Sequence, residues 1–345
     1  MKKLRKVNPG FDRFSGVYLW VVFVIIFSIW SPHEFATLST VKIIASQQTA
    51  GAVVAVALLI PMVCGQFDLT VGSNANLSGL VAILLQDSYH WAPVPAIIAA
   101  VLIGAVIGVV NGFIVVKLHV NSFIATLAVG SVIMAAQTVV TNSATPAPPT
   151  SVFWSTFTQN TIGGFQIVTV YLIVIALVVW VVLVKTPAGR YMHATGSNPE
   201  AARLSGIQTD RWSWLSLIAS GAIAAFAGVL YVSLTGPSDD FGSNLLLPAF
   251  AAVFLGATQL VPGRFNVWGT LLAIVVLATG VTGLQLVTTV QWLPDLFNGV
   301  ALVVAVSLSV SRVRTFGSRC TNGRSSPASE DPAEPKESSG SVPAG

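Results

Sequence analysis

The sequence predicts an all-α, polytopic integral membrane protein with about ten transmembrane helices. Of its 345 residues, 54% are hydrophobic and only 9% are charged, whereas soluble domains carry about a quarter charged residues. The apolar residues fall in ten runs, most of them near the roughly 20 residues that a helix needs to cross a bilayer. Because backbone groups in lipid must be hydrogen-bonded within the segment, we expect these runs to be helices.

The ten runs also divide the chain. They are residues 16–30, 47–64, 69–86, 94–116, 121–141, 167–184, 213–234, 247–258, 267–284 and 292–310. The first and the eighth are short, and the eighth is short enough for a re-entrant segment. We expect a cytoplasmic N-terminal segment (1–15), a transmembrane domain (16–311) with a cytoplasmic loop (185–211), and a tail (312–345). The tail is predicted to be disordered because it is poor in large apolar residues.

The distribution of basic residues predicts that both termini are cytoplasmic. If ten spans alternate, 16 of the 17 Lys and Arg residues lie inside and only Lys42 lies outside. Retention of Lys and Arg on the cytoplasmic side is the usual bias. A nine-span arrangement would place one of the two terminal basic clusters outside and is disfavoured. The net charge of +4 is therefore a topology signal, and no nucleic-acid partner is expected.

Several chemistries are excluded by missing motifs. The sequence contains no G-x-x-x-x-G-K-[ST], no HExxH and no GxSxG, so we expect no nucleotide site, no metal site and no enzymatic activity in this chain. Cys64 and Cys320 are not expected to pair. Ion-driven carriers usually keep charged side chains at membrane depth. In this sequence the nearest candidate is Asp68, which lies at a span boundary. Energy for transport is therefore expected from another subunit.

The longest external loop, residues 142–166, contains no charged residue. Phe153, Trp154 and Phe157 recur in it at helical spacing. One interpretation is a short helix lying at the membrane interface, where Trp is enriched. The other is an element that docks or gates something arriving from outside.

A polar segment with its own helix signals lies between the sixth and seventh runs. Asn198 can cap a helix whose first residue is Pro199, and Glu200 suits the positive end of that helix. The next four residues are good helix formers: Ala201, Ala202, Arg203 and Leu204. Gly206 is placed to end the helix. We expect a short cytoplasmic helix that docks onto a partner, the alternative being a simple connector between two spans.

This segment also carries a family resemblance. Residues 189–207 read G-R-Y-M-H-A-T-G-S-N-P-E-A-A-R-L-S-G-I, including Gly196, and closely resemble the cytoplasmic coupling loop of the membrane-spanning permeases of ribose-type ABC importers. Weaker similarities extend the resemblance over most of residues 45–310: residues 68–73, 111–112, 123–127, 251–258 and 263–270. In that family the loop helix docks into a cleft on an ATP-binding subunit.

The resemblance implies partners and a location. The partners are a cytoplasmic ATPase that binds ATP and Mg²⁺, an external solute-binding protein, a second permease copy or paralogue, and membrane lipid. The location is the cell inner membrane. This chain departs from the family pattern at Gln66 and Phe67, before Asp68, and at Ala257 and Pro262, which stand where the family has glycine. These departures bear on the solute more than on the coupling mechanism.

Polar residues within the predicted spans could line a passage or a gate. They are Asp68, Ser73, Asn74, Ser78, Asn111 and Gln137. Asn74 and Ser78 are four residues apart and share a helix face. Interhelical hydrogen bonding would explain each of these residues equally well, and Asp68 would either cap the following helix or belong to an inner gate. Small residues at spacings of three or four, such as Gly104 and Gly108, are predicted to be helix-packing faces.

The expected function is that of a permease subunit that moves a monosaccharide or related polyol into the cytoplasm, energised by a partner ATPase. A lining of uncharged amides and hydroxyls suits such a neutral solute better than an ion. Three alternatives remain. They are the same architecture for a nucleoside, an autoinducer-like molecule or a branched-chain amino acid; a secondary carrier or channel; and a membrane scaffold that transports nothing.

Overall fold

The computed structural model describes residues 14–148, 152–261, 263–288, 290 and 292–321. Within them the chain is helical apart from loops and one two-stranded hairpin. The first half contains α1 (Ser15–Trp30), α2 (Leu38–Gln47), α3 (Thr49–Val63), α4 (Thr70–Asp87), α5 (Pro93–Gly112) with a π-helical turn (Phe113–Lys117), and α6 (Ser122–Val140). The middle contains α7 (Val152–Thr158), β1 (Thr161–Ile162), β2 (Phe165–Gln166), α8 (Ile167–Lys185), α9 (Pro187–Ser197) and α10 (Pro199–Leu204). The last part contains α11 (Thr209–Thr235), α12 (Phe241–Gly256), α13 (Val267–Val287) and α14 (Leu293–Thr321).

All ten predicted runs coincide with helices, which agrees with an all-α polytopic membrane protein. Among the described residues, five helices are long and apolar enough to cross a membrane: α5 with its π-turn, α6, α8, α11 and α13. The pair α2 and α3, bent by 46°, makes a sixth span if it is counted as one. Shorter apolar helices are α1, α12 and the first part of α14. Helix α4 is less apolar because it carries Asn and Ser residues, and most of its length is buried by other helices.

Helix α2 was not predicted from the sequence. The second apolar run begins only at residue 47, since α2 contains Lys42 and several hydroxyl residues. Its start is nevertheless capped, because Thr37 Oγ1 accepts a hydrogen bond from the backbone N–H of Thr40 at 3.2 Å. The chain bends at Gln48 and continues as α3, which is buried almost from end to end.

The start of α12 and the end of α14 also differ from the predicted runs. Helix α12 begins at Phe241, six residues before the run 247–258, and contains Pro248. Helix α14 continues to Thr321, into the segment 312–345 that was predicted as a tail. Residues 1–13 and 322–345, which hold the rest of the predicted terminal segments, lie outside the described residues.

The segment 142–166, which was predicted to be external, contains helix α7, and the aromatic side chains of this helix are largely buried. Trp154 is only 3% exposed, and its Nε1 donates a hydrogen bond to Gln86 Oε1 at 2.9 Å. Phe157 stacks on Phe153 with a ring separation of 5.5 Å and also contacts Tyr171. Helix α7 is therefore fixed to the helices beneath it, with its Trp buried rather than in an interfacial belt.

Helix α11 crosses α4 and α5 at glycines that allow backbone to approach backbone. A Cβ atom on Gly228 would overlap Ala75 of α4, and one on Gly221 would overlap the carbonyl oxygen of Gly104 in α5. A Cβ on Gly108 would lie 2.5 Å from the carbonyl oxygen of Leu217. The prediction that these small residues form packing faces is confirmed. Close approach matters in a membrane because helix association there depends on van der Waals contact.

Replacing Gly228 with alanine should destabilise the protein by about 1–3 kcal/mol, since the added methyl group overpacks the contact with α4. The measurement is the midpoint of SDS-induced unfolding, followed by circular dichroism in detergent. The matched control is Gly299→Ala in α14, where an added Cβ meets nothing within 4 Å and the better helix propensity of alanine predicts no loss. Equal midpoints for the two variants would contradict the packing argument.

Candidate functional site

Helix α10 begins with the cap that its sequence predicts. Asn198 has extended backbone angles, and its Oδ1 accepts a hydrogen bond from the backbone N–H of Ala201 at 3.1 Å. Pro199 occupies the first helical position, where a missing N–H costs nothing. Glu200 lies in the first turn, where a negative charge faces the positive end of the helix dipole.

The other end of α10 is closed by backbone hydrogen bonds. The N–H of Gly206 donates to the carbonyl of Arg203 at 2.9 Å, and the N–H of Ile207 donates to the carbonyl of Ala202 at 3.0 Å. This pair of bonds is a Schellman motif, which requires a left-handed residue at the turn. Gly206 supplies it with φ of +81°. Helix α10 is thus a fixed structure in spite of its six residues.

Most of α10 faces away from the protein. Among its six residues only Ala202 is buried, whereas Leu204 is 91% exposed. Glu200 and Arg203 are exposed as well. A single exposed leucine is common on protein surfaces. Here, however, the caps at both ends hold it in a fixed position on a short helix that also exposes two charged side chains.

Arg203 joins α10 to the first turn of α11. Its Nε donates a hydrogen bond to Thr209 Oγ1 at 2.8 Å, and its Nη2 lies 2.6 Å from Asp210 Oδ1. Both members of the ion pair are more than half exposed, so the pair contributes little to global stability. Its effect is geometric, because it fixes the direction of α10 relative to α11.

Helix α9 joins the same region to α3. A Cβ on Gly196 would overlap the carbonyl oxygen of Val63, and it would lie 3.0 Å from the backbone N of Gly65. Glycine is therefore needed where the end of α9 rests on the end of α3. Tyr191 of α9 packs on Trp212 of α11, with 5.5 Å between ring centroids. The unit α9–α10 is therefore in contact with α3, which is buried almost from end to end, and with α11.

Asp68 lies at the start of α4 and is fully buried. Its Oδ1 accepts hydrogen bonds from the backbone N–H of Thr70 (3.0 Å) and from Thr70 Oγ1 (2.5 Å), and its Oδ2 accepts one from Ser220 Oγ of α11 (2.8 Å). The carboxylate thus accepts the first N–H of α4 and also ties this helix to α11.

Three more of the predicted passage residues lie in the same packed interface. Asn74, Ser78 and Asn111 have no exposed surface. Asn74 Nδ2 donates to the carbonyl of Gly221 at 3.1 Å and its Oδ1 accepts from Ser78 Oγ at 3.1 Å, while Asn111 Nδ2 donates to Thr70 Oγ1 at 2.8 Å. These contacts hold α4, α5 and α11 together, and none of the three residues lines a described cavity.

The two remaining predicted residues, Ser73 and Gln137, do line a cavity. It has a volume of about 130 Å³ and lies between α4, α6 and the start of α12. Asn76, which was not among the predicted passage residues, lines it too. The signal was present in the sequence, because Ser73 and Asn76 are three residues apart and share a helix face. Asn74 and Ser78, which share another face of the same helix, pack against other helices instead.

Replacing Asp68 with alanine should destabilise the protein by a few kcal/mol, because it leaves two buried hydroxyls and one N–H without an acceptor and each unsatisfied group costs about 1–3 kcal/mol. Asp68→Asn keeps an acceptor and should lose less. SDS-induced unfolding of the two purified variants provides the comparison. An alanine variant as stable as the parent protein would show that these hydrogen bonds contribute nothing.

His193 of α9 provides a pH-dependent prediction. Burial, and then the nearby charge of Arg264, lower the pKa of His193 below its ordinary value. Its neutral form is therefore favoured in the folded state, so stability should fall as the pH drops below about 6.5. His193→Gln should reduce this decrease in unfolding experiments between pH 7.5 and 5, as measured against the exposed-site control His119→Gln. An unchanged pH dependence in His193→Gln would contradict the assignment.

Comparisons with known proteins agree with the architecture. The family model described as branched-chain amino acid transport system / permease component matches residues 41–306. The ribose import permease RbsC of Escherichia coli K12 is 32% identical over 297 residues, which are 83% of this chain and 90% of that protein.

Two further relatives are named for other sugars. The galactose/methyl galactoside import permease MglC of Haemophilus influenzae is 26% identical over 328 residues, covering 89% of this chain and 97% of its own length. The fructose import permease FrcC of Rhizobium meliloti is 28% identical over 297 residues, covering 84% of this chain and 82% of its own length. Since the family model matches well over half of the chain, this protein belongs to the family of transport-system permease components described as branched-chain amino acid transport system / permease component.

Proposed function

We propose that this chain is the membrane-spanning subunit of an ATP-binding-cassette importer that carries a monosaccharide or related polyol into the cytoplasm. A partner ATPase, which holds ATP and Mg²⁺, supplies the energy, and this chain performs no catalysis. Relatives named as ribose, galactose and fructose import permeases support the sugar assignment.

The observation that carries the proposal is the construction of α9–α10. Both ends of α10 are capped, Leu204 is exposed at its tip, and the unit contacts α3 and α11 through Gly196 and Arg203. A partner that moves α10 would therefore move the centre of the helix bundle. This is what coupling between a nucleotide site and a distant passage requires.

The complete importer has further components in this proposal. An external solute-binding protein delivers the solute, and a second permease copy or paralogue completes the passage. Both termini, together with the loop 185–211, face the cytoplasm from the inner membrane. The excess of Lys and Arg in these segments supports that orientation.

A second candidate solute is a branched-chain amino acid, which the description of the matching family names. Uptake into proteoliposomes that contain the chain, its ATPase and its binding protein separates the two. Sugar import predicts that unlabelled ribose, galactose or fructose competes with the transported label and that leucine does not. Competition by leucine alone would favour the amino acid.

Changing Leu204 to aspartate should abolish productive docking of the ATPase. Loss of a hot-spot residue at the centre of an interface costs about 2 kcal/mol or more, which corresponds to about a thirtyfold loss of affinity. The measurements are co-purification with the ATPase and solute-stimulated ATP hydrolysis in nanodiscs. The matched control is Leu118→Asp, a cytoplasmic-side leucine that is 58% exposed and lies outside α9–α10.

The Leu204→Asp variant should retain the unfolding midpoint of the parent protein, because Leu204 is 91% exposed. Unchanged co-purification together with unchanged solute-stimulated hydrolysis in Leu204→Asp would overturn the docking assignment.

A further inference from the structure

Helix α9, the end of α8 and the loop before α13 enclose a cavity of about 430 Å³, a volume in the range of small-ligand sites. Its polar lining consists of Arg190, His193 and Ser197 of α9 and Arg264 of the loop. The described part of the chain contributes no Asp or Glu to this lining. The cavity is therefore positively charged.

Neither arginine of this cavity is neutralised by another side chain. Within the described residues the one ion pair is that of Arg203 with Asp210, and the exposed guanidinium groups of Arg190 and Arg264 are unpaired there. A cleft lined by charges of one sign concentrates the electric field and attracts ions of the opposite sign. The cavity thus has the electrostatic character of an anion site.

The hydrogen-bond donors of the cavity are two guanidinium groups and one imidazole. Burial, and then the charge of Arg264, lower the pKa of His193, so its ring is neutral near pH 7 and keeps one N–H to donate. Ser197 Oγ donates its hydrogen to the main-chain carbonyl of His193 at 2.7 Å, so it is not a further donor. Guanidinium groups match the oxygen atoms of a phosphate in both charge and geometry.

The cavity lies where two membrane spans end. Helices α8 and α13 are both long and apolar enough to cross a membrane. Leu183 and Val184, in the last turn of α8, line the cavity, and Arg264 lies three residues before the start of α13. Beside it, Trp180 of α8 contacts Trp268 of α13, with 6.2 Å between ring centroids. Because Trp is enriched at the membrane–water interface, these rings place the cavity at the level of lipid headgroups.

An apolar surface continues from the cavity along α8. Val184 is 55% exposed, and Val181, one turn earlier, is exposed as well. A membrane phospholipid can occupy both parts, with its phosphate in the cavity and its acyl chains against α8. A soluble anion supplies only the phosphate.

We propose that this cavity binds the headgroup of an anionic phospholipid, with Arg190 and Arg264 contacting its phosphate. Basic cavities between spans on the cytoplasmic side suit anionic headgroups, and the proposed topology places the cavity on that side. A zwitterionic headgroup adds an ammonium group, which the two arginines repel. The side of the membrane rests on the proposed function, whereas binding itself requires only that the chain spans a membrane.

Native mass spectrometry of the delipidated full chain in detergent tests this site. The dissociation constant of the first bound lipid is measured for phosphatidylglycerol and for phosphatidylcholine with the same acyl chains. The double variant is Arg190→Gln with Arg264→Gln. Its matched control is Lys117→Gln with Arg211→Gln, which also removes two exposed basic side chains but none that lines this cavity.

The parent protein should bind phosphatidylglycerol at least about fivefold more tightly than phosphatidylcholine, and the double variant should bind phosphatidylglycerol about 25-fold more weakly, since each basic residue near an anionic lipid contributes about fivefold. The control variant should bind it like the parent protein. The unfolding midpoint of the double variant in SDS should match that of the parent protein, because substitutions of exposed, unpaired side chains rarely destabilise a fold.

Equal affinities of the parent protein for the two lipids would overturn the inference, and this comparison needs no substitution. Unchanged affinity for phosphatidylglycerol in the folded double variant, or an equal loss in the control variant, would overturn it as well.

Two competitors identify other occupants of the cavity. Displacement of phosphatidylglycerol by an equal concentration of inorganic phosphate would assign the cavity to a soluble anion, and displacement by the partner ATPase would assign it to the docking surface. Either result would overturn the lipid assignment. Failure of the proposed import function would appear separately, as absence of ATP-dependent uptake, and would leave the lipid affinities unchanged.

Discussion

The close contact of α11 with α4 and α5 is the constraint on which the rest of this structure depends. Gly228 rests on Ala75 and Gly221 on Gly104 with no room for a side chain. In lipid the hydrophobic effect does not drive helices together, so such contacts and interhelical hydrogen bonds must do it. Packed interfaces of this kind move as units rather than deform continuously.

The polar residues reinforce the same contact. Asp68 reaches Ser220 of α11, and Asn74 reaches the carbonyl of Gly221. Since α11 begins five residues after α10 ends, we expect a displacement of α10 to be transmitted into this packed unit. The cavity lined by Asn76 lies on the opposite side of α4, against α6 and α12. A shift of the α4–α5–α11 unit relative to α6 and α12 would therefore change that cavity.

The fold was predictable where the signals are local. The ten apolar runs indicated the helices, and the order Asn198, Pro199, Glu200 and Gly206 indicated both ends of α10. Helix α2 was missed because its polar residues hide it from a hydropathy pattern, and the start of α12 was missed for the same reason. A hydropathy pattern alone does not identify such polar helical segments, because it registers only apolar residues.

The site was predictable only in part, for a geometric reason. A sequence places Asn74 and Asn76 on different faces of a helix, but it does not say which face meets another helix and which meets a cavity. Helix α10 was clearer, because caps are read from adjacent residues. The expectation that it docks onto a partner also came from these residues, whereas the identity of that partner came from the family resemblance.

The central claim is that α9–α10 transmits the motion of the ATPase into α11. Inserting two glycines between Ile207 and Gln208 tests it most directly, because the insertion leaves the docking surface intact but loosens its connection to α11. ATP hydrolysis and solute uptake would be measured together in proteoliposomes containing the chain, its ATPase and its binding protein. The account predicts that hydrolysis persists while uptake falls at least about tenfold, equivalent to about 1.4 kcal/mol of lost coupling. Uptake at the rate of the parent protein would contradict it.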